Sequence, residues 1–147
     1  MLWNIEYYKG VGLVKFGMSP VEVEDLLGQP EDSDSSRIFA RKEFRDLSYP
    51  IIYYEKSGVA EIMFTKEASN VKIFDIDDIF AQNPINVLQA VSLRDKDLRE
   101  TVGIIVSVEL GIALTGFHDQ DEDQKTVAAF RRNLWNSRLD DSSKISF

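Results

Sequence analysis

The sequence predicts an α+β fold, an antiparallel β-sheet with two short helices packed on one face, in a single domain over residues 1–147. Three observations carry that expectation. Two segments, Ser19-Pro20 and Asn83-Pro84, place a capping side chain directly before a proline, which is how a helix starts. Several short runs rich in β-branched and aromatic residues are bounded by Gly, Asn, Asp and Ser, which is how strands read. These runs do not alternate with helices as a doubly wound parallel sheet requires. No internal repeat and no linker divides the chain.

Taken in order, residues 1–17 are rich in aromatics and Val and are broken by Gly10, Gly12 and Gly17, which predicts a strand or two with a tight bend. Ser19-Pro20-Val21-Glu22 is a capping box, in which hydroxyl and carboxylate each accept from an N–H that the helix start leaves without a partner. Val23, Leu26 and Leu27 follow at i, i+3 and i+4 and are expected on one buried face. Gly28 and Pro30 end this helix after about two turns. Residues 31–36, Glu-Asp-Ser-Asp-Ser-Ser, carry only polar side chains and predict a mobile loop.

Arg37–Phe44 reads as a strand, and Ile51–Glu55 with Val59–Thr65 reads as a hairpin through Lys56-Ser57-Gly58. Val71–Phe74 adds a strand before the acidic turn Asp75-Ile76-Asp77-Asp78. Asn83 caps the second helix, whose Ile85, Leu88 and Val91 are expected to face inward. The most hydrophobic stretch, TVGIIVSVELGIALTGF over residues 101–117, fits two strands turning near Glu109-Leu110-Gly111 better than one helix. A charged loop over 118–125 follows, Thr126–Phe130 returns as a third strand, and Trp135 is placed to close over the core.

Composition narrows the function classes. With 44% hydrophobic and 29% charged residues the chain belongs with globular proteins, not with disordered or fibrous ones. No apolar run approaches the roughly 18 residues that a membrane span needs. The N-terminal MLWNIEYYKG lacks the basic and apolar regions of a secretory signal, so the expected compartment is the cytoplasm, with no membrane partner. Lys and Arg number 17 against 25 Asp and Glu, a net charge of −8 that repels phosphate backbones. Arg131, Arg132 and Arg138 stand close in sequence to Asp119, Asp121, Glu122, Asp123, Asp140 and Asp141 and form no basic stripe, so no nucleic-acid partner is expected. The acidity serves either solubility or the steering of a basic protein partner.

Most catalytic motifs fail at a named position. Zero cysteines exclude thiolate metal sites and cysteine nucleophiles. Gly10-Val11-Gly12 opens like a dinucleotide loop, yet Lys15 stands where its third glycine belongs. Asp119, Asp121 and Asp123 match the first acidic positions of a calcium loop, but Gln124 replaces the turn glycine and Phe130 the bidentate glutamate, so a solvated hairpin loop is the stronger reading and neither metal nor cofactor is expected. His118 is the single histidine, which excludes two-imidazole sites. Beside Asp119 it could serve as a general base, but a strand-end histidine making one hydrogen bond is the much stronger reading. Tyr7, Tyr8, Tyr49, Tyr53 and Tyr54, with Trp3 and Trp135, offer either sheet packing or a recognition surface; of the adjacent Tyr53 and Tyr54 one should pack and the other face water.

The segment GLVKFGMSPVEVEDLLGQP over residues 12–30 resembles the helix-start motif of the SmpA/OmlA (BamE-like) family of small envelope lipoproteins. Those proteins carry an export signal and a lipidated cysteine, which this sequence lacks, so their envelope-assembly role is not carried over. The chain as a whole, above all GIALTGFHDQDEDQKTVAAF with KFGMSPVEVEDLLGQP, is similar to small bacterial immunity proteins of polymorphic or contact-dependent growth-inhibition toxin systems. That resemblance implies a stoichiometric inhibitor, often of a nuclease toxin, and transfers no site residue.

The function expected is therefore a cytoplasmic immunity protein, not an enzyme, that blocks the active site or substrate groove of a cognate basic toxin domain. The partner-binding residues expected are His118, Asp119, Asp121, Glu122 and Asp123, preferred over Glu31, Asp32 and Asp34 because a hairpin between apolar strands presents its carboxylates rigidly. A second reading is a non-catalytic binding module or scaffold related to the BamE-like domains. A third is a small hydrolase using His118.

Overall fold

Both predicted helix starts cap as their side chains require. A computed structural model describes residues 1–147. In it the Ser19 hydroxyl accepts from the Glu22 N–H at 3.2 Å and the Glu22 carboxylate accepts from the Ser19 N–H at 3.1 Å, closing the box at the head of α1 (Pro20–Leu27). Asn83 Oδ1 accepts from the Ile85 and Asn86 N–H groups and starts α2 (Pro84–Arg94).

The fold is α+β, with its strands in two sheets where one was expected. The N-terminal segment gives β1 (Trp3–Glu6), β2 (Gly10–Val11) and β3 (Val14–Lys15). Next come β4 (Asp32–Asp34), β5 (Arg41–Phe44), β6 (Ile51–Glu55), β7 (Gly58–Thr65) and β8 (Val71–Ile73). After α2 follow β9 (Arg99–Thr101), β10 (Ile104–Ser107), β11 (Ile112–Thr115), β12 (Thr126–Phe130) and β13 (Ser143–Lys144). The small sheet runs β3-β2-β1-β8 and contains one parallel pair, β1 with β8. The large sheet is antiparallel, in the order β13-β9-β10-β11-β12-β7-β6-β5-β4.

Strand alternation decides which face of the large sheet each residue sees. Ile52, Tyr54, Ile62, Phe64, Ile105, Ile112, Leu114, Val127 and Ala129 point into the main apolar cluster. The small sheet supplies Trp3, Ile5, Val11, Val71 and Ile73 to the same cluster, α1 supplies Val23, and α2 supplies Val87, Leu88 and Val91. Both helices thus serve one core, as expected, and the small sheet shares it. Each large apolar side chain buried there contributes roughly 1.5–3 kcal/mol. The opposite face carries a second, smaller cluster built on Ala60, Val106, Ala113, Ala128 and Phe130, covered by Phe39, Leu134 and Trp135. Trp135 closes over this second cluster instead of the main core.

Several boundaries differ from the sequence reading. Residues 31–36 are not a loop throughout, because Asp32–Asp34 pairs with β5 as the sheet's edge strand. Residues 37–40 lie outside β5, so the expected strand starts only at Arg41. The stretch 101–117 contains the end of β9 as well as β10 and β11, because Val102-Gly103 makes a turn of its own. Leu26 is exposed and Leu27 half-buried, since the short α1 inserts only Val23 fully. Val87 is fully buried while Ile85 is half-buried at the margin of the cluster. Gly58 allows the β6–β7 turn to pass under the chain at Gly17: its φ is +113° and a Cβ would stand 2.3 Å from the Gly17 carbonyl oxygen.

Candidate functional site

The 118–125 segment is a loop between β11 and β12, closed by the pairing of Thr115 with Thr126. Gly116 makes its first bend at φ +81°, where a Cβ would meet the Asp121 carbonyl oxygen at 2.6 Å. One turn of 3₁₀-helix over Glu122–Gln124 orders its far side. Lys125, buried to the level of the core, lies 2.9 Å from a Glu122 oxygen, with its ammonium over the Phe117 ring. Lys66, on the turn after β7, reaches Asp123 at 3.1 Å, and that contact raises the lysine's pKa. The loop therefore holds two of its four carboxylates in ion pairs and presents Asp119 and Asp121 exposed and unpaired.

His118 is half-buried at the root of the loop, with its Nδ1 buried and without a hydrogen-bond partner. No hydrogen bond joins it to Asp119 or to a serine hydroxyl, so the alignment that would make it a base is not formed. Asp119, Asp121 and Asp123 do not converge with other ligands into a cage for a metal ion.

A second acidic surface lies along α1 and β4. Glu22, Glu24, Asp25, Glu31, Asp32 and Asp34 make no ion pair, and all but the half-buried Glu24 are exposed. The stretch is ordered, contrary to its expected mobility, because β4 pairs with β5. Asp32 and Asp34 accept from the N–H groups of Ser33 and Ser35 at 2.8 and 2.7 Å. Those side chains occupy main-chain donors of the edge strand, a protection against another chain pairing there.

The sequence reading missed a third site, on the outer face of the large sheet. Glu61 stands opposite Tyr53 on one side and Phe130 on the other. Phe39 packs on Tyr53 with ring centres 4.9 Å apart, and Trp135 packs on Phe130 at 5.9 Å. The gap between Phe39 and Trp135 is bridged by the Arg138 guanidinium, 5.9 Å from the first ring centre and 4.8 Å from the second. Glu61 is only 7% exposed and makes no ion pair, its carboxylate oxygens keep some contact with solvent, and the Trp135 indole N–H, itself buried, is directed at it. Burial raises the Glu61 pKa, opposed by the nearby Arg138 charge and by Trp135. Burial first, and the Glu61 carboxylate second, push the Tyr53 hydroxyl up to about 12.

Beside this box a shallow concavity of about 530 Å³ is walled by Phe39, Arg37, Lys56 and the Glu55–Arg131 pair. Arg131, Arg132 and Arg138 thus gather beyond Phe130, at the end of β12 opposite the acidic loop that precedes Thr126. Their closeness to Asp119–Asp123 in sequence does not become an ion pair. The remaining aromatics mostly pack: Tyr54 is buried and donates to Glu43 at 2.8 Å, Tyr53 is half-exposed as alternation required, Tyr49 meets Trp3, and Tyr7 meets Phe74.

Comparison with protein families, with curated proteins and with solved structures returns no match for this chain.

Proposed function

We propose that the chain is a cytoplasmic bacterial immunity protein, a stoichiometric binder that neutralises a cognate basic toxin domain of the nuclease class by covering its active site or substrate groove. The observation that carries this reading is the 118–125 loop, where Asp119 and Asp121 stand exposed and unpaired on a hairpin between two largely buried strands. Carboxylates held in place before binding lower the ordering cost of association. The net charge of −8, with the unpaired carboxylates of residues 22–34, extends an attractive field toward a basic partner and raises the encounter rate. The resemblance of residues 15–30 and 111–130 to immunity proteins supports the same class.

The test is to look for a toxin domain in the reading frames flanking this gene and to co-express the chain with it. The reading expects growth to be restored and a one-to-one complex to be isolated. A toxin that still kills, with no complex formed, overturns it and leaves a non-catalytic binding module as the better reading.

A further inference from the structure

A buried carboxylate ordinarily finds a charge-assisted partner, because removing it from water unpaired is costly. Glu61, 7% exposed and without an ion pair, has only the Trp135 indole N–H and the longer-range Arg138 charge to offset that cost, within a box of unusual composition. Tyr53 and Phe130 flank it across the strands, Phe39 and Trp135 build the walls upward from those two rings, Arg138 lies between those walls, and the Lys42 ammonium sits over the Tyr53 ring at 5.1 Å. The Arg138 side chain makes no hydrogen bond and no close ion pair, so stacking and the longer-range attraction of Glu61 and Glu55 keep it there.

Aromatic faces attract cations, and a carboxylate at the floor adds the opposite charge in a place where little water screens it. We propose that this box is a receptor for an organic cation, the guanidinium or ammonium of a partner's Arg or Lys side chain, and that Arg138 is its resident stand-in. An incoming cation swings Arg138 aside, stacks between Phe39 and Trp135, and pairs with Glu61. Displacing Arg138 breaks no hydrogen bond. A desolvated arginine or lysine anchored in this way is the kind of contact that slows dissociation from an interface. The identity of the natural cation rests on the reading that the partner is a basic protein; the box itself does not.

The chain has two tryptophans, so the Trp135 indole N–H gives one of only two indole signals in a nitrogen–proton correlation spectrum, assigned with W135F. Methylguanidinium chloride is titrated into the protein at constant ionic strength, with sodium chloride as the control. The expected result is a saturable shift of the Trp135 signal, at least threefold tighter in R138A than in wild type and at least tenfold weaker in R138A/E61Q than in R138A. R138M, which keeps an aliphatic stem on the indole while removing the charge, should match R138A. A response no different from sodium chloride, or one that E61Q leaves unchanged, overturns the proposal. Binding here without toxin neutralisation would sink only the immunity reading, and neutralisation without binding here would sink only the box.

Discussion

Arg131 grips Glu55 across 76 positions of sequence, Nη2 meeting Oε2 at 2.8 Å while Nε donates to the other oxygen. The pair fastens the chain beyond β12 to the end of β6, and so anchors the segment that carries Trp135 and Arg138. Parallel two-point contacts are the stronger class of ion pair, though partial exposure here limits the gain. Replacing Arg131 with Ala should cost roughly 1 kcal/mol, read as a lowered urea midpoint. Arg131 holds the Glu55 carboxyl below its ordinary value. This contribution is therefore present above the ordinary carboxylate range and lost as pH falls through the lowered folded value. In R131A the acid side of the stability profile should flatten, and a profile parallel to wild type would show that the contact is idle in solution.

Glu61 should act in the opposite sense. Its carboxyl is raised by burial, so above the unfolded value of about 4.3 the native state keeps a proton that the unfolded chain has lost. Stability from this group therefore falls as pH rises from that value through the raised folded one. The substitution E61Q should remove that slope and leave the protein more stable than wild type at neutral pH. Urea midpoints at mildly acidic and neutral pH decide it; an E61Q variant less stable at both would mean that the carboxylate is satisfied in solution.

A third prediction concerns the buried network at the end of α1. Glu43 accepts from Tyr54 at 2.8 Å and pairs with Arg45 at 3.2 Å, while Arg45 donates to the Gly28 carbonyl at 2.9 Å. Arg41 also reaches Glu43, at 2.6 Å, so Glu43 keeps a partner without Arg45, whereas removing Glu43 leaves the buried Arg45 charge without its ion pair, which costs about 3–5 kcal/mol. E43A should therefore rank among the most destabilising single changes, with R45A milder, and a loss under about 1 kcal/mol in E43A would show that water replaces the carboxylate.

The Ser19 cap is more modest. Its bond to the Glu22 N–H is exposed, so S19A should cost about 0.5–2 kcal/mol, and an unchanged urea midpoint would show that the cap frays.

What the sequence disclosed follows from the range over which each signal acts. Ser19-Pro20 with Glu22 and Asn83-Pro84 are local chemistry, complete within a few residues, and the structure realises both. The β6–β7 hairpin and the pair β10–β11 are likewise settled by adjacent alternation and one turn. By contrast, nothing in Asp32-Ser33-Asp34 looks like a strand, and these residues become one only because β5 offers an open edge. The parallel union of β1 with β8 depends on segments far apart in sequence that share the core through Trp3, Ile5, Val71 and Ile73. Glu61 was illegible for the same reason. In GVAEIMFT it sits at an alternating position that reads as solvent-facing, and its burial comes from Phe39 and Trp135, which arrive from elsewhere. Of the loop residues, Asp119 and Asp121 stand as expected in solvent, whereas Lys66 and Lys125 claim Asp123 and Glu122.

The division within that loop makes the central claim directly measurable. Association of the chain with the proposed cognate toxin domain is followed at low and high salt for wild type and for D119K/D121K, which reverses the two unpaired carboxylates and spares the two in ion pairs. In D119K/D121K association should slow roughly tenfold at low salt and its salt dependence should flatten, with a nearly unchanged dissociation rate. On-rates equal to wild type at both salt concentrations would contradict it.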